Sequence, residues 1–202
     1  MNHMLENIFN LLVSPNTIII ILILYMIGSL PFAIIVSKLL ALPDPRSFGS
    51  NNPGATNVLR GGNKFGAILT LLGDSMKGYI PVLILSSMGM QIGEIYFLSF
   101  FILIGHIFPI TLKFRGGKGV ATSIGILFAI NLNIGVVLLI IWLLVFTISR
   151  ISGLSALSAF FILPFAIYLL IQNNFIFSLS ILNTFIIFLT HKNNIKEFFI
   201  TK

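Results

Sequence analysis

Long apolar runs broken by short polar turns dominate this chain. They cover residues 17–37, 65–88, 95–112, 120–132, 134–149, 154–171 and 175–190. Runs of this kind, with few or no charges, predict membrane-spanning helices. The fourth and fifth are short. At about 1.5 Å rise per residue they reach roughly 20 to 24 Å against about 30 Å of hydrocarbon, so the alternative is one helix fused across Asn131 and Asn133.

Charge decides between the two. A single helix over 120–149 would put the tail lysines Lys192, Lys196 and Lys202 on the opposite side from Arg46, Arg60, Lys113, Arg115 and Lys118. Two helices bring them together, along with Lys38, Lys64 and Arg150, and leave Glu6 and Glu94 on the other side. Cytoplasmic loops of membrane proteins carry the excess of Lys and Arg. The expected fold is therefore an all-α integral membrane protein, a seven-transmembrane-helix bundle with the N-terminus outside and the C-terminus cytoplasmic. Within the first run, Gly28, Ser29 and Pro31 predict a bend toward its cytoplasmic end, because proline lacks the N–H that continues a helix.

Composition agrees and excludes several classes. With 57% hydrophobic and 8% charged residues and a mean hydropathy of +1.07, the chain is no soluble domain, and residues 1–202 are expected to form one membrane-embedded domain. The first run is too long for a signal-peptide core and nothing cationic precedes it, so it is expected to stay as an anchor. The chain contains no cysteine, which removes disulfides, thiolate catalysis and cysteine-held metals. Its net charge of +7 lies between apolar spans, not on a soluble basic surface, so no nucleic-acid partner is expected.

The polar residues are concentrated in two segments. The first, 44–64, contains GSNNPGATNVLRGG; its small residues let backbone amides approach a ligand, while Ser50, Asn52, Thr56 and Asn57 add hydrogen-bonding side chains and Arg60 a bidentate cation. A polar turn between helices is the plain alternative. The second, 105–122, contains Arg115-Gly116-Gly117-Lys118-Gly119 directly before a helix starting near Val120. A helix N-terminus with a lysine beside it suits phosphate; the plain alternative is that Lys113, Arg115 and Lys118 only fix topology and touch anionic lipid. Neither segment fits a dinucleotide-binding or Walker pattern. Asp74 and Lys77, one turn apart inside the second run, are expected to form a structural ion pair.

Of the three histidines, His3 falls near a terminus expected to fray and His106 is expected to brace the loop that follows it. His191 ends the last run, with Asn194 on the same helical face, both directed toward the basic loops. A neutral imidazole there suits orientation or proton relay; an ordinary interfacial histidine is the alternative. No histidine has an aspartate five residues on: those positions are Ile8, Thr111 and Lys196. That removes the His-x4-Asp chemistry of soluble-type glycerolipid acyltransferases. With only Asp44 and Asp74 as aspartates, a two-metal site is also unavailable, and no metal or other cofactor is expected.

Four motifs in order, GSLP at 28–31, DPRSFGSNNPGATNVLR at 44–60, GHIFPITLKFRGGKGVAT at 105–122 and HKNNI at 191–195, resemble the bacterial membrane acyl-phosphate:glycerol-3-phosphate acyltransferases. The resemblance implies acyl transfer from acyl phosphate to the sn-1 hydroxyl of glycerol 3-phosphate, giving 1-acylglycerol 3-phosphate (lysophosphatidic acid) and phosphate, the first acylation of bacterial phospholipid synthesis. It also implies a seven-helix bundle in the bacterial inner membrane, a cytoplasmic-face active site, no metal and no obligate protein partner beyond the lipid bilayer itself. Carried over by motif, Ser50, Arg60 and Lys118 hold substrate phosphates, Asn52, Thr56, Asn57, Gly116, Gly117 and Gly119 complete the cradle, and His191 and Asn194 form the glycerol 3-phosphate pair. No protein nucleophile is apparent, and a substrate phosphate is expected to take the proton. Two positions depart from the family pattern. Asn51 replaces a glycine, which a turn of positive φ tolerates, and Gly153 replaces a serine, with Ser152 or Ser155 as substitutes. A small-anion or phosphate transporter shares the basic loops, but neither a repeat nor a mid-membrane arginine cluster accompanies them.

Overall fold

The computed structural model describes residues 15–200, with side chains through residue 197; His3, Glu6 and Lys202, which entered the topology reading, lie outside the described residues. All regular structure among the described residues is helical: α1 (Pro15–Gly28), α2 (Phe32–Leu39), α3 (Ala55–Arg60), α4 (Lys64–Ser87), α5 (Ile92–Ile107), α6 (Val120–Ile130), α7 (Leu132–Ser149), α8 (Ser152–Leu170), α9 (Asn174–Thr190) and α10 (Lys192–Ile200). Each predicted apolar run has its counterpart. The run over 120–149 is two helices, because Asn131 turns extended at φ −157° and its side chain accepts from the Asn133 and Ile134 amides to cap α7.

Lengths divide the helices into two groups. Four are long and apolar enough to cross a bilayer: α4, α5 with its following turn (Ile92–Leu112), α7 and α8. Together α1 and α2 make a fifth candidate, bent by 43°. The bend is sharper than a proline kink inside one helix, since the helix breaks altogether between Gly28 and Phe32. Two carbonyls freed by the break find side-chain donors, Ser29 O from Thr111 Oγ1 at 2.6 Å and Leu30 O from Lys77 Nζ at 2.8 Å. Two further apolar helices are shorter, α6 with 11 residues and α9 with 17, and α3 and α10 are short polar helices.

Small residues let the helices meet backbone to backbone. A Cβ on Gly28 would overlap the Ile102 carbonyl and one on Gly105 the Tyr25 carbonyl, so α1 crosses α5 in direct contact; Gly78 against Thr122 and Gly125 against Ser75 do the same for α4 and α6. The central helix is α5, with Tyr96, Leu98, Ile102 and Leu103 at most 1% exposed. A buried polar chain crosses the core beside it, Ser123 Oγ donating to Asn183 Oδ1 and Asn183 Nδ2 to the Tyr96 hydroxyl, both at 3.2 Å. The outer faces are apolar, with Ile18, Leu22, Leu72, Leu144, Phe165 and Phe185 exposed as suits a lipid-facing belt.

Candidate active site

The two glycine-rich segments meet the α9–α10 junction at one end of the bundle. The first segment is held by Asn57, which is 1% exposed. Its Oδ1 accepts from Ser50 N at 3.0 Å, and its Nδ2 donates to Pro45 O at 2.5 Å and Phe48 O at 3.0 Å. Asn57, expected in the substrate cradle, makes these bonds inside the loop and braces it. Gly49 and Asn51 take positive φ, +59° and +54°, so asparagine does carry the left-handed turn expected at position 51. At the start of the segment Arg46 clamps Asp44, with Nη2 to Oδ2 at 2.6 Å, and the guanidinium holds that carboxyl below the usual carboxylate range.

The second segment is fastened to the end of α5. Gly116 N donates to Ile107 O at 3.0 Å and Gly117 N to His106 O at 3.1 Å, so these two amides are not free for a phosphate. A Cβ on Gly116 would overlap the His106 carbonyl, one on Gly117 the His106 ring, and one on Gly119 the Leu103 side chain. The three glycines permit close packing of the loop on α5. Of the cradle that the resemblance implies, the Gly116 and Gly117 amides are therefore turned to the end of α5. Gly119, at φ +86°, precedes α6 with no side-chain cap, so the first-turn amides of α6 remain uncapped.

Lys118 sits between two groups of residues. On one side is a cleft of about 1370 Å³ lined by Ser50, Asn51, Asn52 and Pro53 from the first segment, Lys113, Arg115, Gly116, Gly117 and Lys118 from the second, and Thr190, Lys192 and Asn193 from the tail. Single small-ligand sites occupy roughly 300–1,000 Å³, so this cleft is roomy. Arg46, Thr111, Ile107, Phe108, Leu112 and Leu189 complete it, giving a cationic floor with an apolar flank. On the other side Lys118 Nζ donates to Asn194 Oδ1, and Asn194 packs where a Cβ on Gly153 would reach it at 3.2 Å. Next to them Thr56 Oγ1 and Ser152 Oγ share a hydrogen bond of 3.1 Å. Arg60 is exposed at the end of α3, near enough that its charge acts on Lys118. Burial pushes the Lys118 ammonium below the usual lysine range; the Glu197 carboxylate opposes this and Arg60 adds to it.

Ser50, Asn52, Gly116, Gly117 and Lys118 thus line the cleft, while Thr56, Arg60, His191 and Asn194 gather beyond Lys118 and Asn57 and Gly119 face into the protein. Of the two serines flanking Gly153, Ser152 shares its hydroxyl with Thr56 beside the site, whereas the Ser155 hydroxyl donates to Ile151 O at 2.9 Å. Sequence reasoning overlooked Thr190, whose hydroxyl donates to the Lys118 carbonyl at 3.0 Å and ties the tail to the loop. It gave Lys113 and Arg115 no named part in the site, whereas both border the cleft. Only their position in the loop hinted at this.

His191 caps α9 at 3% exposure, with Nδ1 2.8 Å from Ile187 O. A carbonyl can only accept, so Nδ1 carries the proton and Nε2 keeps a lone pair. Burial pushes the imidazole down to about 4, with the nearby Lys118 charge adding to the shift and the Ile187 carbonyl opposing it. A folded-state value below the unfolded 6.5 means that protonation favours unfolding. This group's contribution is intact above pH 6.5 and is lost as pH falls toward about 4. Histidine-ring NMR of the purified protein is expected to show His191 neutral at pH 5.5; a midpoint near 6.5 would remove this assignment.

Known proteins with the same pattern identify the family. Residues 18–200 match the family model described as glycerol-3-phosphate acyltransferase. The glycerol-3-phosphate acyltransferase of Nitrosomonas eutropha is 43% identical over 183 residues, covering 89% of this chain and 92% of its own. That of Thioalkalivibrio sulfidiphilus is 45% identical over 173 residues, covering 86% and 85%. Two crystal structures of PlsY (YgiH), an integral membrane glycerol 3-phosphate acyltransferase, superpose on the fold. The glycerol 3-phosphate form has a TM-score of 0.85 at 29% identity and the lysophosphatidic acid form 0.83 at 28%, each covering 91% of this chain and 92% of the other. With a matching family model, relatives above 40% identity and a shared membrane fold, this chain belongs to the glycerol-3-phosphate acyltransferase family of integral membrane enzymes.

Proposed function

We propose that this enzyme transfers a fatty acyl group from acyl phosphate to the sn-1 hydroxyl of glycerol 3-phosphate. The carrying observation is Lys118, which lines the cleft through the second loop and bonds Asn194 on the tail. One ammonium at that junction can contact two phosphates, one on each side, and offset part of their charge. Ser50 and Asn52 present polar groups to the cleft, and Arg60 supplies the second full charge beyond Lys118. Thr56 with Ser152, and Asn194 with His191, frame the glycerol 3-phosphate position. Solved relatives described in glycerol 3-phosphate and lysophosphatidic acid forms support that acceptor and product.

The chemistry then needs little from the protein beyond placement. The acceptor hydroxyl oxygen attacks the acyl carbonyl, its proton passes to a substrate phosphate oxygen, and the bond from the carbonyl carbon to the phosphate oxygen breaks to release inorganic phosphate. Acyl phosphate is already activated, so orientation and neutralised charge supply the acceleration. His191 Nε2, held as an acceptor, can receive a hydrogen bond from a glycerol hydroxyl and aim it. No metal or other cofactor enters.

The same reading takes residues 1–202 as one domain with α1–α2, α4, α5, α6, α7, α8 and α9 as seven spans. The N-terminus lies outside, the C-terminus and the site at the cytoplasmic face of a bacterial inner membrane, and no obligate protein partner is needed. The loop and tail cations on one side support that orientation. The purified enzyme is expected to release phosphate and form 1-acylglycerol 3-phosphate when given acyl phosphate and glycerol 3-phosphate. Turnover with acyl-CoA and none with acyl phosphate would overturn the donor assignment.

A further inference from the structure

A buried ionic cluster near the centre of the bundle has no part in these roles. Asp74 and Lys77, one turn apart on α4, pair at 2.8 Å, and Asp74 Oδ1 also lies 3.5 Å from His106 Nδ1 near the end of α5. The three residues are 4%, 5% and 7% exposed. Ionisable groups so far from water are costly, and apolar side chains would serve plain helix packing better. Each partner of Asp74 also reaches toward one wall of the site.

Lys77 donates to Leu30 O, the carbonyl opened by the α1–α2 break, and α2 runs from that break into the first polar segment. Tyr25 and Thr111 fasten the same break to the other wall, the Tyr25 hydroxyl donating to Phe108 O at 2.9 Å and Thr111 to Ser29 O. His106 reaches the second wall directly. Its Nδ1 lies 3.2 Å from Thr122 Oγ1 in the first turn of α6, and its Nε2 edge fills the space against Gly117, the residue before Lys118.

We propose that the Asp74–Lys77–His106 cluster is a positioning device for Lys118. The His106 ring sets the height of the loop by filling the space under Gly117, Asp74 fixes the ring, and Lys77 ties the same carboxylate to the break from which the opposing wall departs. His106 and Asp74 are positioning residues, since they touch neither substrate. Holding a charged side chain in place before substrate arrives is what makes its charge effective. The proposal rests on Lys118 as a phosphate-binding residue.

The test is a double-mutant cycle on affinity for glycerol 3-phosphate, read from the rise of Tm with its concentration in detergent-purified protein. The four proteins are wild type, His106→Ala, Lys118→Ala and the double variant. His106→Ala is expected to weaken binding about tenfold when Lys118 is present, and less than about twofold in the Lys118→Ala background, the scale of coupling between residues that act through one another. Equal losses in both backgrounds would overturn the proposal, because a ring that merely supports the fold acts whatever stands at position 118. If Lys118→Ala by itself leaves affinity unchanged, the reading of Lys118 as a residue that holds the glycerol 3-phosphate phosphate fails instead. Where His106→Ala is not recovered as a monodisperse protein, Gly117→Ala, which presses on the same ring from the loop side, replaces it in both backgrounds and is read the same way.

Discussion

Lys118→Ala is expected to lower turnover of glycerol 3-phosphate by roughly 10²–10³-fold while the protein remains folded, the scale of removing one preorganised charge partner from a partly desolvated site. Three contacts place this ammonium: the fastened Gly116–Gly117 turn, Thr190 on its own carbonyl, and Asn194 on its Nζ. The first is backbone to backbone, the other two bring side chains from the distant tail, and none of them replaces the charge when the lysine is gone. The loss appears mainly in kcat if the charge builds on the departing phosphate and mainly in KM if Lys118 only holds the acceptor. Arg60→Ala is expected to give a loss of the same order, since its guanidinium is the second full charge beside the site. Steady-state kinetics on both variants, with size-exclusion profiles matched to wild type, check this. Near-wild-type activity in both would remove the pocket.

Asp74→Ala carries the largest expected effect on stability, a loss of about 3–5 kcal/mol, because it leaves Lys77 buried without its carboxylate. Lys77 is 5% exposed, and what remains to it is the Leu30 carbonyl and the face of the Phe32 ring, neither of them a counter-charge. Exchanging both partners for apolar residues, Asp74→Leu with Lys77→Met, removes the orphaned charge and is expected to restore most of that stability. Activity does not return with it, because the ring of His106 has lost the group that fixes it. Thermal unfolding in detergent, run beside the activity assay, separates the two readouts. If Asp74→Ala alone shifts stability by less than about 1 kcal/mol, the pair is not holding the bundle.

Helix positions were legible because the lipid environment permits few solutions: an apolar run must become a helix to satisfy its own backbone. The break at Asn131 was legible from charge, which needs the tail lysines on the side of the basic loops; the cap that makes it, Asn131 Oδ1 on the Asn133 and Ile134 amides, shows only in the structure. At Pro31 the bend was legible but its extent was not, because a full break requires outside donors for Ser29 O and Leu30 O, and those come from Thr111 and Lys77 far along the chain. The packing of the second segment was not legible for the same reason: that the Gly116 and Gly117 amides bond the carbonyls of Ile107 and His106 depends on where α5 ends in space. Asn57, a ligand candidate by type, also braces its own loop through partners that its sequence position does not reveal.

By itself, the sequence determined the all-helical membrane class, the family and the segments from which the site is built. The membrane class follows from local composition and spacing, and the family and its site segments from the resemblance of four motifs in order. Only the tertiary structure decided which members of those segments face the cleft, that Ser152 meets Thr56 beside it, and that Asp74 and His106 sit beneath the loop of Lys118. These depend on contacts between residues tens of positions apart, where the direction of a side chain follows from how close two helices approach, and at these crossings that distance is set by glycines whose neighbours lie elsewhere in the chain.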